Sequence, residues 1–240
     1  MEVNVEKVLI IIPAYNEEDS IEKVVDNFIE NFPQYDYVIV NDGSTDHTKD
    51  VCRDKGYEVL NLPINMGIGG AVQTGYRYAL DNGYDMAVQV DGDGQHDVSF
   101  LENMIRYMEE EGADCVIGSR FVEKEGFQSS GLRRVGIKFL SVLGWMLTGV
   151  RVRDITSGFR LVNSRFIQIF AQDYPSDYPE PEAMVIAAVY GGKIREYPVI
   201  MRDRESGTSS ITLRKSVYYM FKVTLAMLVR RLSFGVRRSK

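Results

Sequence analysis

Two carboxylates two residues apart, Asp91 and Asp93, leave the end of the apolar run Met86-Ala-Val-Gln-Val90 within the segment Asp91-Gly-Asp-Gly-Gln-His96. Hard divalent ions such as Mg²⁺ and Mn²⁺ take oxygen ligands and commonly bridge one or two protein carboxylates to the phosphates of a substrate. Gln95 offers a third oxygen, and glycines at 92 and 94 let a diphosphate approach the backbone. His96 adjoins the motif, but its nitrogens suit such an ion less well. The same residue types also make an ordinary acidic turn, so the motif gains its meaning from what surrounds it.

Such a turn needs a strand to aim it. Residues 8–12, 37–40, 58–62, 86–90 and 115–118 read as strands, the first a continuous Val/Ile/Leu run of the kind buried on both faces. Between them, 20–31, 45–55, 69–82 and 98–111 carry helical patterns, and this alternation predicts an α/β fold with a mostly parallel sheet and right-handed crossovers. Ligands in such sheets bind beyond the carboxyl ends of the strands. The informative residues gather at those ends: Pro13-Ala-Tyr-Asn-Glu17, Asn41-Asp-Gly-Ser-Thr-Asp46, Asn65-Met-Gly-Ile-Gly-Gly70 and the acidic motif. Each loop has a structural reading too, Asp42 or Ser44 as the cap of a helix near Thr45 and Gly67 to Gly70 as a tight turn. After Arg120 the alternation is expected to stop, giving way to a Gly/Ser-containing loop, an apolar helix over 135–148, the segment Asp154-Ile-Thr-Ser-Gly-Phe-Arg160, a Pro-rich stretch over 174–181 and a short strand region over 194–201.

A chain of 240 residues with 45% hydrophobic content buries a sizeable core. Cys52 and Cys115 have no metal-type spacing, and Met1-Glu-Val-Asn4 shows no secretory pattern, so the expected location is a reducing cytoplasm. The net charge of −6 conceals an asymmetry: no acid follows Glu205, whereas eight Lys or Arg do, leaving −14 on the first 205 residues. A basic tail on an acidic body suits anionic lipid or a phosphate-bearing acceptor better than nucleic acid, which the body would repel. No segment reaches the ~20 apolar residues of a membrane span. In the tail, apolar residues at 217, 220, 221, 225, 228 and 232 fall near one helical face, the pattern of a basic amphipathic helix that lies on a membrane, on the body or on a small membrane-protein partner. Trp145 and the 139–147 stretch suit either a lipid tail or ordinary core.

Seven motifs in order give the chain a resemblance. They are Pro13-Ala-Tyr-Asn-Glu17, Asn41-Asp-Gly-Ser44, Asn65 with its following glycines, Asp91-Gly-Asp-Gly-Gln95, Gly118-Ser-Arg-Phe121, Asp154-Ile-Thr-Ser-Gly-Phe-Arg160 and Arg204-Glu-Ser-Gly-Thr-Ser209. Together they resemble the family 2 glycosyltransferases of GT-A fold, in the branch like dolichyl-phosphate mannose synthase. The resemblance implies a Rossmann-like GT-A domain over 1–205 and a basic amphipathic C-terminal segment over 206–240 that docks on a membrane or partner. It implies that Pro13, Ala14, Tyr15 and Glu17 line a nucleoside pocket, that Asp42 meets the base or ribose, and that Ser44, Asn65 and Gly69 belong to the same substrate-binding set. It implies Asp91, Asp93 and Gln95 as holders of Mg²⁺ or Mn²⁺ on the donor diphosphate, and Arg120, Arg204 and one of Arg133 or Arg134 as phosphate clamps, a task that suits the planar guanidinium fork. One departure is Ser210, where these synthases commonly carry Lys; another is the lack of following transmembrane helices.

The implied reaction moves a hexosyl group, with inversion, from a nucleoside diphosphate sugar of UDP or GDP type to a polyprenyl phosphate, for envelope or surface glycan synthesis on the inner face of the cell membrane. A phosphate acceptor is already an oxyanion and needs little or no general base, whereas a sugar hydroxyl needs one. Asp154 is the expected carboxylate near the acceptor and Glu182 its rival, each with a plain reading as a helix-start acid. Two alternatives stand beside this: extension of a saccharide at a hydroxyl, and a nucleotide-binding scaffold without turnover.

Overall fold

The computed structural model describes residues 6–92, 94–123, 131–201 and 213–237. The alternation expected in the first half is present: β1 (Val8–Ala14), α1 (Ile21–Asn31), β2 (Asp36–Asn41), α2 (Thr48–Lys55), β3 (Val59–Asn61), α3 (Gly67–Asp81), β4 (Met86–Gln89), a 3₁₀ turn (Val98–Phe100) leading into α4 (Leu101–Glu111), and β5 (Cys115–Ser119). There follow α5 (Gly131–Thr148), β6 (Arg160–Asn163), α6 (Ser164–Gln172), α7 (Pro179–Val189), β7 (Ile194–Pro198) and α8 (Leu213–Arg237). The strands form one seven-stranded sheet in the order β3-β2-β1-β4-β6-β5-β7. β6 alone runs antiparallel to its neighbours, pairing Gln89 with Arg160 on one side and Ile117 with Arg160 on the other.

Because successive strand residues point to opposite faces, β1 divides its side chains between two cores. Leu9 and Ile11 pack with α3, α5, α6, α7 and α8, while Ile10 and Ile12 pack with α1, α2 and α4. All seven residues of β1 are buried, which is why the strand reads as an unbroken apolar run.

The expectation that alternation stops after Arg120 is corrected: β6, α6 and α7 continue it. β6 has four residues and begins on a buried arginine, so it lacks a strand signature. Pro179 and Pro181 occupy the first turn of α7, where a missing N–H costs nothing, so a Pro-rich stretch opens a helix instead of forming a loop. The rest of α7 is apolar all round, which erases helical periodicity. The helix expected near Thr45 starts at Thr48, and its orphan N–H is met by Asp46, whose Oδ1 accepts from Thr48 N–H at 3.0 Å and from the Thr48 hydroxyl at 2.6 Å. Asp42 and Ser44 are therefore free of that capping role.

The expected C-terminal helix is present as α8 and packs on the body. Val223 and Met227 are buried in the same core as α5 and α7, and Arg230 bonds Glu182 and Asp173 at 2.8 Å each. Residues 202–212, with Arg204 and the boundary expected at 205, and Asp93 lie outside the described residues.

Candidate active site

The loops beyond β1 and β2 are stitched together by polar side chains acting on backbone. Asn16 adopts φ 56°, a conformation Asn tolerates better than most residues. From there its N–H donates to Ser44 Oγ at 3.0 Å and its Oδ1 accepts from Thr45 N–H at 2.8 Å. Glu17 N–H donates to Thr48 Oγ1 at 2.9 Å, and its carboxylate accepts from Ser20 Oγ at 2.6 Å. Pro13 and Ala14 end β1 in buried positions, while Tyr15 stands 46% exposed on the rim.

Asp42 is buried and accepts from Met66 N–H at 2.7 Å, tying the end of β2 to the start of α3. Burial raises its carboxyl above the ordinary range, against the opposing effect of the Met66 and Gly67 N–H groups. Asn65 is exposed and accepts from Gly67 N–H at 3.1 Å. Gly69 donates its N–H to the Ser176 carbonyl, and a Cβ here would sit 1.9 Å from the Pro175 carbonyl oxygen. Only glycine fits, so this residue sets how closely the loop before α7 approaches the start of α3.

Asp91 lies at the centre of these loops with its side chain 34% exposed. Its Oδ1 accepts from Gln89 Nε2 at 3.1 Å, and the backbone of Gly158 packs against it so closely that a Cβ there would lie 3.3–3.4 Å from both carboxylate oxygens. His96 is buried and orients this acid. Its Nδ1 accepts the Asp91 N–H at 3.0 Å, so the neutral ring carries its proton on Nε2, 3.6 Å from Asp91 Oδ2, while the ring stacks on Phe159. Both ring nitrogens thus face Asp91, which leaves oxygen donors, Asp91 and the half-buried Gln95, for a cation. That donor chemistry fits a hard divalent ion. Among the described residues no group of three or more His, Cys, Asp or Glu is placed to hold a metal ion.

Across the sheet, Arg120 and Asp154 meet each other. Arg120 Nε and Nη2 reach the two Asp154 oxygens at 2.7 Å each, its backbone N–H adds a third bond at 3.1 Å, and the side chains are 7% and 0% exposed. Asp154 N–H donates to Glu196 Oε1 at 2.8 Å, and Ser157 Oγ donates to the Gly118 carbonyl at 2.6 Å. The Asp154 to Arg160 segment is thereby pinned over the end of β5. Glu182 accepts from Arg230 Nε. Arg133 and Arg134 stand exposed in the first turn of α5, and Arg133 lies close enough to Tyr219 of α8 to oppose the rise that burial imposes on that phenol.

Sequence reasoning passed over Glu180. It opens α7 beside Tyr178, whose φ of 49° swings the chain into the helix, and its carboxyl is pushed up to about 7, chiefly by burial and further by the negative charge of Asp91. Arg160 beneath it, 2% exposed, donates to the Glu180 carbonyl at 3.1 Å and opposes that rise. The sequence does contain a signal: Glu180 and Glu182 are two residues apart on a helix, so they point about 200° apart and only one can face the site.

A family model described as "Glycosyl transferase family 2" matches residues 9–170. An undecaprenyl-phosphate mannosyltransferase of Micrococcus luteus is 30% identical, covering 86% of this chain and 88% of that protein. A UDP-N-acetylglucosamine–dolichyl-phosphate N-acetylglucosaminyltransferase of Methanococcus voltae is also 30% identical, covering 80% and 84%. The fold is similar to that of glucosyl-3-phosphoglycerate synthase from Mycobacterium tuberculosis in complex with Mn²⁺ and UDP-glucose, with a TM-score of 0.69 at 19% identity over 94% of this chain and 79% of that one.

Proposed function

The chain belongs to glycosyl transferase family 2, in the branch of the polyprenyl-phosphate glycosyltransferases, and from that premise we propose that it moves a hexosyl group from a nucleoside diphosphate sugar to a polyprenyl phosphate, with inversion, at the cytoplasmic face of a membrane. The observation that carries the choice of acceptor is the state of the two expected bases. Asp154 is held by Arg120 and Glu182 by Arg230, so both expected bases are engaged in ion pairs within the protein. A phosphate monoester requires no such group, because it arrives as an oxyanion.

On the donor side Tyr15, Glu17, Asp42 and Ser44 would border the nucleoside, with Asn65 and Gly69 closing the rim, and Asp91, Asp93 and Gln95 would hold Mg²⁺ or Mn²⁺. The metal, when bound, neutralises charge on the departing diphosphate. Gln89 and His96 fix the Asp91 carboxylate before substrate arrives, which removes reorganisation from the reaction. Arg204 and Arg133 or Arg134 receive the acceptor phosphate, whereas Arg120 and Asp154 act as a joined pair that holds the loop over β5.

Glu180 favours a second reading. A carboxyl with a pKa of about 7 beside Asp91 has the proton affinity of a general base, which a sugar hydroxyl acceptor would need. One assay separates the two: nucleoside diphosphate release from UDP- and GDP-sugars with Mn²⁺ or Mg²⁺, with and without undecaprenyl or dolichyl phosphate. Lipid-dependent release with labelled sugar passing into the organic phase, retained in Glu180→Gln, supports the phosphate acceptor. Release that needs a saccharide and fails in Glu180→Gln replaces it with the hydroxyl reading.

A further inference from the structure

The Asp154 to Arg160 motif ends on a residue to which the proposed mechanism gives no task. Arg160 opens β6 and is 2% exposed. Its side chain shares a sheet face with Val162 of the apolar core and lies directly across from Gln89 of β4. Nη2 donates to two neutral carbonyls, Ser157 at 3.4 Å and Glu180 at 3.1 Å, and Nε is buried without a partner among the described residues. Tyr76, Tyr174 and Cys115 feel the charge, but burial raises all three above their ordinary values, so none supplies an anion. Among the described residues Arg160 forms no ion pair. A buried cation without a carboxylate is costly, and an apolar side chain of similar length would serve the core better. Arg120 shows the contrast within the same molecule, since it is buried too but meets both Asp154 oxygens at 2.7 Å. Stability alone does not account for Arg160.

The two carbonyls it holds belong to backbone segments that adjoin Asp91. Ser157 is followed by Gly158, where a Cβ would lie 2.9 Å from Gln89 Nε2 and 3.3 Å from Asp91 Oδ1. Glu180 follows the left-handed Tyr178 at the start of α7, and its carboxyl feels the Asp91 charge. One guanidinium thus spans both segments, while its cross-strand partner Gln89 holds the Asp91 carboxylate itself. We infer that Arg160 is a positioning residue of the donor site: its guanidinium fixes the Ser157–Gly158 backbone and the start of α7 around Asp91, and its unpaired charge offsets the anionic groups that gather there when a diphosphate binds. This rests on the donor reading proposed above and deepens it by adding a residue that works from beneath the site.

The test uses the full chain and compares wild type with Arg160→Met and Arg160→Lys. Three quantities are read: stability in denaturant, calorimetric binding of UDP and GDP with Mn²⁺, and the split of kcat against donor KM in the lipid-phosphate assay. Arg160→Met is expected to be at least as stable as wild type, yet to bind the preferred nucleoside diphosphate roughly tenfold more weakly, the size of a lost charged contact. Arg160→Lys keeps the charge on a shorter, compact ammonium and is expected to recover diphosphate binding while kcat stays low. A purely structural residue gives the opposite order, with stability lost and the folded fraction binding and turning over normally; that result overturns the inference. Wild-type binding and kcat in both variants overturn it too. Should Arg160→Met not fold, Arg160→Lys decides alone, and a normal kcat there sinks the positioning role. Failure of the acceptor reading looks different: wild type that binds a diphosphate, is weakened by Arg160→Met and shows no lipid-dependent transfer keeps the inference and removes that reading alone.

Discussion

The half of the molecule from β1 to β4 and the half from β5 to α8 build their parts of the site by different means. In the first, polar side chains act on nearby backbone at the ends of parallel strands: Asn16 on Thr45, Asp46 on Thr48, Asp42 on Met66. In the second, charged side chains far apart in sequence act on each other, Arg120 on Asp154 and Arg230 on Glu182 and Asp173. A rim made by the first means leaves its central carboxylate, Asp91, open to solvent and ligand. A wall made by the second consumes its charges in holding itself together. Substitutions should therefore read out as lost binding or turnover on one side and as lost stability on the other.

The sharpest way to break this contrast is Asp154→Asn. It keeps the shape but leaves the Arg120 charge buried and uncompensated, which costs about 3–5 kcal/mol. Denaturant melts should show that loss, and the apolar pair Arg120→Met/Asp154→Leu should recover part of it. A variant as stable as wild type but inactive would return Asp154 to the chemistry. Next comes Asp91→Asn on the proposed donor side, where the side chain is partly exposed. We expect a fall of about 100-fold to 1000-fold in turnover, comparable to losing one preorganised electrostatic contact, with the melting temperature held. Metal-dependent nucleotide binding should weaken with it; unchanged metal dependence would dissociate Asp91 from the cation.

The same division governs what could be read without coordinates. The common placement of Asp42, Asp91 and Gln95 beyond strand ends is legible because strand alternation dictates which ends lie together. Arg120 and Asp154 were each legible as charged residues in motifs, but not as partners, since 34 residues separate them and their meeting depends on how β6 inserts antiparallel between β4 and β5. That insertion is itself invisible in a four-residue strand led by arginine. The apolar residues of α8 suit a membrane, the body or a partner alike, because periodicity reports an apolar side and not what covers it; the structure places Val223 and Met227 against the body.

A smaller and pH-dependent effect is expected at Glu180, which stands where the two halves touch. Its folded pKa of about 7 lies above the ordinary value of 4.5, so the folded state binds the proton more tightly than the unfolded one. Stability from this group is full below pH ~4.5 and is lost as pH rises through ~7, a difference of up to about 3 kcal/mol. Glu180→Gln cannot ionise, so in chelator-treated protein its melting temperature should match wild type at low pH and exceed it at pH ~8.5. Parallel curves for the two proteins across that window would show that the carboxyl is not held in a poorly solvated position beside Asp91.

The smallest effect sharpens the boundary of the second half. Arg230 joins α8 to Glu182 of α7 and to Asp173, each at 2.8 Å, but its side chain is 27% exposed, so solvent screens much of the attraction. Arg230→Met should therefore cost only about 1 kcal/mol, well short of the buried Arg120 pair. Its value lies in what it releases: Glu182 loses the cation that occupies it while the apolar contacts of Val223 and Met227 keep α8 in place. If turnover with a polyprenyl phosphate is unchanged in this variant, Glu182 is a structural acid and α8 is held chiefly by its core. A gain of transfer to hydroxyl acceptors would instead show that the ion pair keeps a competent base out of use, and the acceptor preference would rest on a single salt bridge.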